Sequence, residues 1–153
     1  MSIDLKVKRT HPAAFIPSFA TMGAACFDLH AITEGEVTEC LMPGSAHVFQ
    51  IGLAFEIPEG YALMIYSRSG AGFKNDVRLA NCTGVIDADY RGSVAVKLTN
   101  DNADGRAFKV KHGDRIAQAM LIEVPIVRLV EVLELSTTAR GAGGFGSTGS
   151  AAQ

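Results

Sequence analysis

The sequence predicts an all-β domain, on three observations. Short runs rich in β-branched and aromatic residues recur along the chain, and Gly, Pro and Asp punctuate them. One run alternates cleanly between apolar and polar positions. Many short strands with regular turns make a barrel or a sandwich. The 153 residues fit one domain, with no repeat or internal boundary. A chain of that length buries roughly 70% of its unfolded surface. With 48% hydrophobic and 20% charged residues it has the material for a core.

In chain order, "ACFDLHA" reads as a strand with Asp28 held between Phe27 and Leu29. "HVFQIGLAFEI" and "YALMIYS" are strand-like, and the turn signal "PEG", Pro58 to Gly60, separates them. "SVAVKLT" points Val94, Val96 and Leu98 one way and Ser93, Ala95, Lys97 and Thr99 the other. "GVIDADYRG", Gly84 to Gly92, stands before it as the end of a hairpin. "DNADGR" reads as a polar loop and "HGD" as a turn. "RIAQAMLIEV" and "IVRLVEVLEL" suit either helix or strand; Val and Ile content, with Pro125 between them, favours two strands. Hydrophobicity collapses from Ser136, so a domain over 1–135 and an arm over 136–153 are expected.

Bulk properties exclude several classes. A net charge of −2 gives no broad electrostatic case for nucleic acid or an anionic membrane. No run of about 18 apolar residues predicts a transmembrane helix. "MSIDLKVKRTH" lacks the apolar stretch of a secretory signal. Cys26, Cys40 and Cys82 fit no paired spacing and read as reduced thiols of a cytoplasmic protein. His11, His30, His47 and His112 form no metal motif.

Several stretches carry chemistry. In "GVIDADYRG", Asp87, Asp89 and Gly92 imitate an EF-hand, but Arg91 and Leu98 stand where oxygen ligands are required, so calcium fails. What remains is Asp87 as a fixed carboxylate able to orient and deprotonate a water, or a solvated turn. In "YSRSGAG", Arg68 offers a fork for phosphate oxygens, and Ser69 and Gly70 a hydroxyl and an exposed N–H, in what is otherwise an ordinary turn. Asp28 faces either solvent or a site with a hydrated metal. In "GDRIAQ", Asp114 and Arg115 suit a structural pair, and Gln118 could offer an amide to a ligand. "RGAGGFGSTG" is one residue short of a P-loop, with Ser147 where lysine belongs and no helix to follow. It is a frayed tail or an arm that orders on a ligand, and Arg140 with Phe145 keeps the second alternative open.

Taken in order, "ACFDL", "SRSG", "NCTGVIDADYRG", "GDRIAQ" and "RGAGGFGSTG" resemble the motifs of the homotrimeric deoxyuridine triphosphatase (dUTPase) family, across nearly the whole chain. Eighteen residues separate Ser69 from Asp87, as in that family. The resemblance implies a jelly-roll-like β subunit of a homotrimer with shared active sites. It implies hydrolysis of dUTP to dUMP and pyrophosphate, with Asp87 activating the attacking water and Mg2+ bound through phosphates and water. Asp28 would touch that metal through water. Arg68, Ser69, Gly70 and Gln118 would hold the phosphate chain. Asn81, Gly84 and Val85 would read uracil, and Tyr90 would pack under the deoxyribose. Arg140, Phe145, Gly146, Ser147 and Thr148 would close over bound substrate. The chain departs from the family pattern at Cys26, Phe27, Ser67, Ala71, Asn75 and Asp76. Two rivals share the resemblance: a dCTP deaminase, which needs a glutamate where Lys97 stands, and a non-catalytic nucleotide-binding trimer.

Overall fold

The computed structural model describes residues 2–35, 37–144 and 147. Ten strands and one short helix follow in order: β1 (Lys6–Arg9), β2 (Phe27–His30), β3 (Glu39–Leu41), β4 (Ala46–Glu56), β5 (Tyr61–Tyr66), α1 (Ser69–Asn75), β6 (Val77–Leu79), β7 (Thr83–Ile86), β8 (Val94–Asn100), β9 (Phe108–Val110) and β10 (Arg115–Glu123). Two four-stranded antiparallel sheets, β1-β4-β8-β6 and β2-β10-β5-β7, enclose the core, and β3-β9 forms a small third sheet. This is the all-β, jelly-roll-like architecture the sequence predicts.

Period-two patterning places the core. Val94, Val96 and Leu98 of β8 are buried, and so are Leu29 of β2 and Leu63 and Ile65 of β5. Each such side chain contributes about 1.5–3 kcal/mol when fully buried. The Phe27 ring of one sheet meets the Phe55 ring of the other at 6.5 Å between centroids. A bulge interrupts the β4–β8 ladder between Gln50 and Leu53. Gly52 sits in it at φ 65°. A Cβ there would run into Ile32, His11 at 2.8 Å and Ala14 at 3.0 Å, so both conformation and space demand glycine.

Three local expectations are corrected. "IVRLVEVLEL" is not a strand of this chain's sheets: β10 ends at Glu123, and Ile126, Val127, Leu129, Val130, Val132, Leu133 and Leu135 are exposed. A strand exists only by pairing, and among the described residues no strand pairs with the segment. "SRSGAG" is not a plain turn but opens α1, which ends where Asp76 takes a left-handed conformation. "GVIDADYRG" does not close a simple hairpin, because β7 pairs with β5 while β8 pairs with β4 and β6. "DNADGR" is the expected polar loop between β8 and β9, tied down from within. Asn102 is buried, its Oδ1 accepting from the Asp104 and Arg106 amides at 2.9 and 3.1 Å. Beside it, buried Asn100 donates to the Leu41 and Arg106 carbonyls, both at 2.9 Å.

Candidate active site

The outer face of the second sheet gathers three of the candidate residues. On β2, Phe27 and Leu29 point into the core, which turns Asp28 and His30 outward. Gln118 of β10 sits opposite Asp28, Tyr66 of β5 opposite Gln118, and Thr83 of β7 opposite Tyr66. One row therefore crosses the whole sheet. The chain leaves β5 at Tyr66, so Ser67 and Arg68 emerge beside that row. Gln118 Nε2 donates to the Ser67 carbonyl at 3.0 Å. Arg68 Nε donates to Asp28 Oδ1 at 2.8 Å, joining residues 40 positions apart. Arg68, Ser69, Gln118 and Asp76 line one open cavity there. The Ser69 and Gly70 amides belong to the first turn of α1, where no intrahelical acceptor exists.

Sequence reasoning missed the partner that completes this group. Arg115 Nη1 donates to Asp28 Oδ2 at 3.1 Å. The expected Asp114–Arg115 pair is thereby corrected. Asp114 Oδ2 instead accepts the Lys111 amide at 2.8 Å, tying off its own turn. No signal in the sequence marks Arg115. Three residues separate it from Gln118, and in a regular strand that puts them on opposite faces. The β10 ladder shifts register between Arg115 and Ala117, and the bulge returns Arg115 to the outer face.

His30 lies beneath this cluster. Its Nδ1 is buried with no partner among the described residues, and its ring is 5.2 Å from that of Phe15. Burial holds its pKa below the ordinary 6.5; nearby Asp28 opposes the shift, and Arg115 and Arg68 reinforce it. Burial pushes the Cys26 thiol up, and the Asp28 charge adds to the shift.

A second concavity, of about 430 Å³, opens where β7 parts from β8. Asn81, Gly84, Val85 and Lys97 are among its lining residues. Gly84 faces Ile65 across the ladder, and a Cβ on it would meet the Ile65 Cβ at 3.1 Å. Tyr90 Oη donates to the Ser93 carbonyl at 3.2 Å, and its ring covers Gly92, where any Cβ would strike it. Asp87 is exposed, and its carbonyl accepts the Tyr90 amide at 3.2 Å. It lies four residues beyond Thr83, which is about 13 Å along an extended chain from the Asp28–Gln118 row. The structure thus brings Asp28, Arg68, Ser69 and Gln118 together. Asn81, Gly84 and Val85 line the second concavity, and Asp87 and Tyr90 follow on the loop after β7.

The described part of the arm turns on itself. Arg140 Nε donates to the Gly143 carbonyl at 2.8 Å, and the Ser147 amide to the Gly144 carbonyl at 3.0 Å. Among the described residues the arm makes no hydrogen bond to either cluster. Phe145, Gly146 and Thr148 lie outside the described residues.

Known proteins resemble this chain in sequence and in fold. The chain is 46% identical to the deoxyuridine 5'-triphosphate nucleotidohydrolase of Nautilia profundicola, covering 96% of this chain and 99% of that protein. It is 46% identical to that of Rhizobium rhizogenes, over 88% and 85% of the two chains. The Staphylococcus bacteriophage 80alpha dUTPase, solved with dUPNHPP, superposes with a TM-score of 0.86 at 27% identity, covering 97% of this chain and all of that one. The dUTPase of phage phi11 of S. aureus, whose structure shows a structural Mg(II) ion, superposes at 0.74 and 24% identity, over 86% and 98% of the chains. The dUTPase family model matches residues 13–149, and with that span and those identities the chain belongs to the dUTPase family.

Proposed function

We propose that the protein hydrolyses dUTP to dUMP and pyrophosphate, in a site assembled from several copies of the chain. The observation that carries this reading is the convergence of Arg68, Gln118 and the first turn of α1 beside Asp28. That corner offers a guanidinium, a hydroxyl, an amide and backbone N–H groups, the donors a triphosphate requires.

Asp87 is the proposed base. It takes the proton of a water that attacks the α-phosphorus, and the pyrophosphate oxygen leaves opposite. The cavity between β7 and β8 takes the uracil, read by the Asn81 amide and the backbone at Gly84 and Val85. Cytosine would leave buried polar groups unpaired there, an expensive mismatch. Tyr90 packs under the deoxyribose. Arg140, Phe145, Gly146, Ser147 and Thr148 cover the bound nucleotide and exclude water.

The described residues contain no group of three acidic, His or Cys side chains able to hold a metal. Each Asp28 oxygen already accepts one guanidinium, which leaves one lone pair apiece. That donor set fits water-mediated contact with a hydrated Mg2+ and not direct ligation. Bound with the triphosphate, Mg2+ supplies neutralisation of its charge.

Two features support a shared site. Arg68, Ser69 and Gln118 line one concavity of the chain, and Asn81, Gly84 and Val85 line another. The exposed apolar segment from Ile126 to Leu135 finds no cover among the described residues. A homotrimer, as the resemblance implies, supplies both the missing partner and the cover.

The experiment is pyrophosphate release from dUTP with Mg2+, for the native chain and for Asp87→Asn, with UTP, dTTP and dCTP alongside. Turnover of dUTP alone is expected, falling by roughly 10²–10⁴ in the variant. A native trimer that binds dUTP and releases no pyrophosphate would reduce the protein to a binding module.

A further inference from the structure

The Asp28 carboxylate is divided between two guanidinium groups, one to each oxygen: Arg68 Nε at Oδ1 and Arg115 Nη1 at Oδ2. Arg68 is held at a second point, where its Nη1 donates to the Arg115 carbonyl at 3.2 Å. Its Nη2 donates to nothing among the described residues. The pair is sheltered, with 28% of the Arg68 side chain and 16% of the Asp28 side chain exposed, so its geometry is not averaged away by solvent.

An arginine and a carboxylate left to themselves prefer the fork, with two parallel N–H···O bonds. Here that fork would consume Nε and Nη2 of Arg68 together and leave little for a ligand. Arg115 prevents it by occupying Oδ2. Its side chain reaches there only because the β10 bulge turns it to the outer face.

We propose that Arg115 is a positioning residue for triphosphate binding: it holds Asp28 so that Arg68 pairs through one oxygen and keeps Nη2 turned to the phosphates. This rests on the proposed placement of the phosphate chain at Arg68. Two cations on one anion also leave the cluster with a net positive charge, which suits a polyanion. In the absence of Arg115, Arg68 folds onto both Asp28 oxygens, and the donor that meets the ligand is lost. Occupancy of Oδ2 matters more than the charge of the occupant.

The test is calorimetric titration of the assembled protein with dUPNHPP in EDTA, which removes both hydrolysis and metal from the readout. Arg115→Ala is expected to weaken binding on the order of tenfold, the scale of one lost hydrogen bond to a charged group. Arg115→Gln and Arg115→Lys both keep a donor for Oδ2. They are expected to bind within about threefold of the native chain, a change under 1 kcal/mol. Steady-state turnover should show KM rising in Arg115→Ala while kcat holds. Native-like binding by Arg115→Ala overturns the proposal, and so does a loss in Gln and Lys as large as in Ala. If Arg115→Ala does not fold, binding by the Gln and Lys variants within about threefold of native upholds the proposal, and a loss on the order of tenfold in both overturns it. A native chain that fails to bind dUPNHPP defeats the phosphate placement itself, a result distinct from either.

Discussion

At the scale of single residues, the candidate site is built on charges satisfied before any ligand arrives. Asp28, Arg68 and Arg115 neutralise one another in part, and His30 beneath them carries a cost when it is charged. The sign follows from its lowered pKa. Between the ordinary value of 6.5 and the lower folded value, the unfolded chain binds the proton and the folded chain does not. Stability contributed by neutral His30 is therefore complete above pH 6.5 and is lost as pH falls through that window. Melting temperature followed from pH 7.5 down to about pH 5 should drop more steeply for the native chain than for His30→Leu, which has no proton to take up. Parallel curves would show that His30 contributes nothing. Much at this scale was legible in the sequence: Asp28, Arg68 and Gln118 stand out by type and setting. Arg115 was not, because a bulge moves it from one face to the other and nothing in "GDRIAQ" records that shift. Nor does the sequence mark His30 out from the other histidines, since the ring it packs against, Phe15, is fifteen positions away.

At the scale of elements, alternation made β8 readable, and apolar length made β4 and β5 readable. Three-residue strands such as β3, β6 and β9 escaped, because so short a run has no period to detect. The helical turn after Arg68 was hidden by two glycines that lower helix propensity, with tertiary context overriding them. The glycine-rich arm is the element whose role is easiest to test. A chain stopped before Arg140 removes no strand of either sheet. It should keep its circular dichroism and assembly while dUTP turnover falls on the order of a hundredfold, as groups that position and enclose the substrate are lost. Full turnover by that truncated chain would show that the arm has no part in catalysis.

At the scale of the whole molecule, the all-β class could be read from the sequence, but the partition into two sheets could not. Pairings such as β1 with β4 and β2 with β10 join segments far apart in sequence, and local pattern carries no trace of them. "IVRLVEVLEL" shows the limit most clearly. Its β-branched residues are consistent with a strand, yet the described residues supply it no neighbour. In the assembled protein that segment should be covered. Light scattering is expected to give three times the 16.2 kDa chain mass for the native protein, and smaller species for Leu129→Lys combined with Leu133→Lys. An unchanged mass in the double variant would place the assembly contacts elsewhere.

The gap between Asp87 and the Asp28–Gln118 row has a further meaning for the life of the protein. On the shared-site reading, a newly made chain folds with the parts of a site and a complete site nowhere. Hydrolysis begins only when copies meet. Activity then reports on concentration and quality control as well as on chemistry: a lone or misassembled chain is silent, and no separate inhibitor is needed to keep it so.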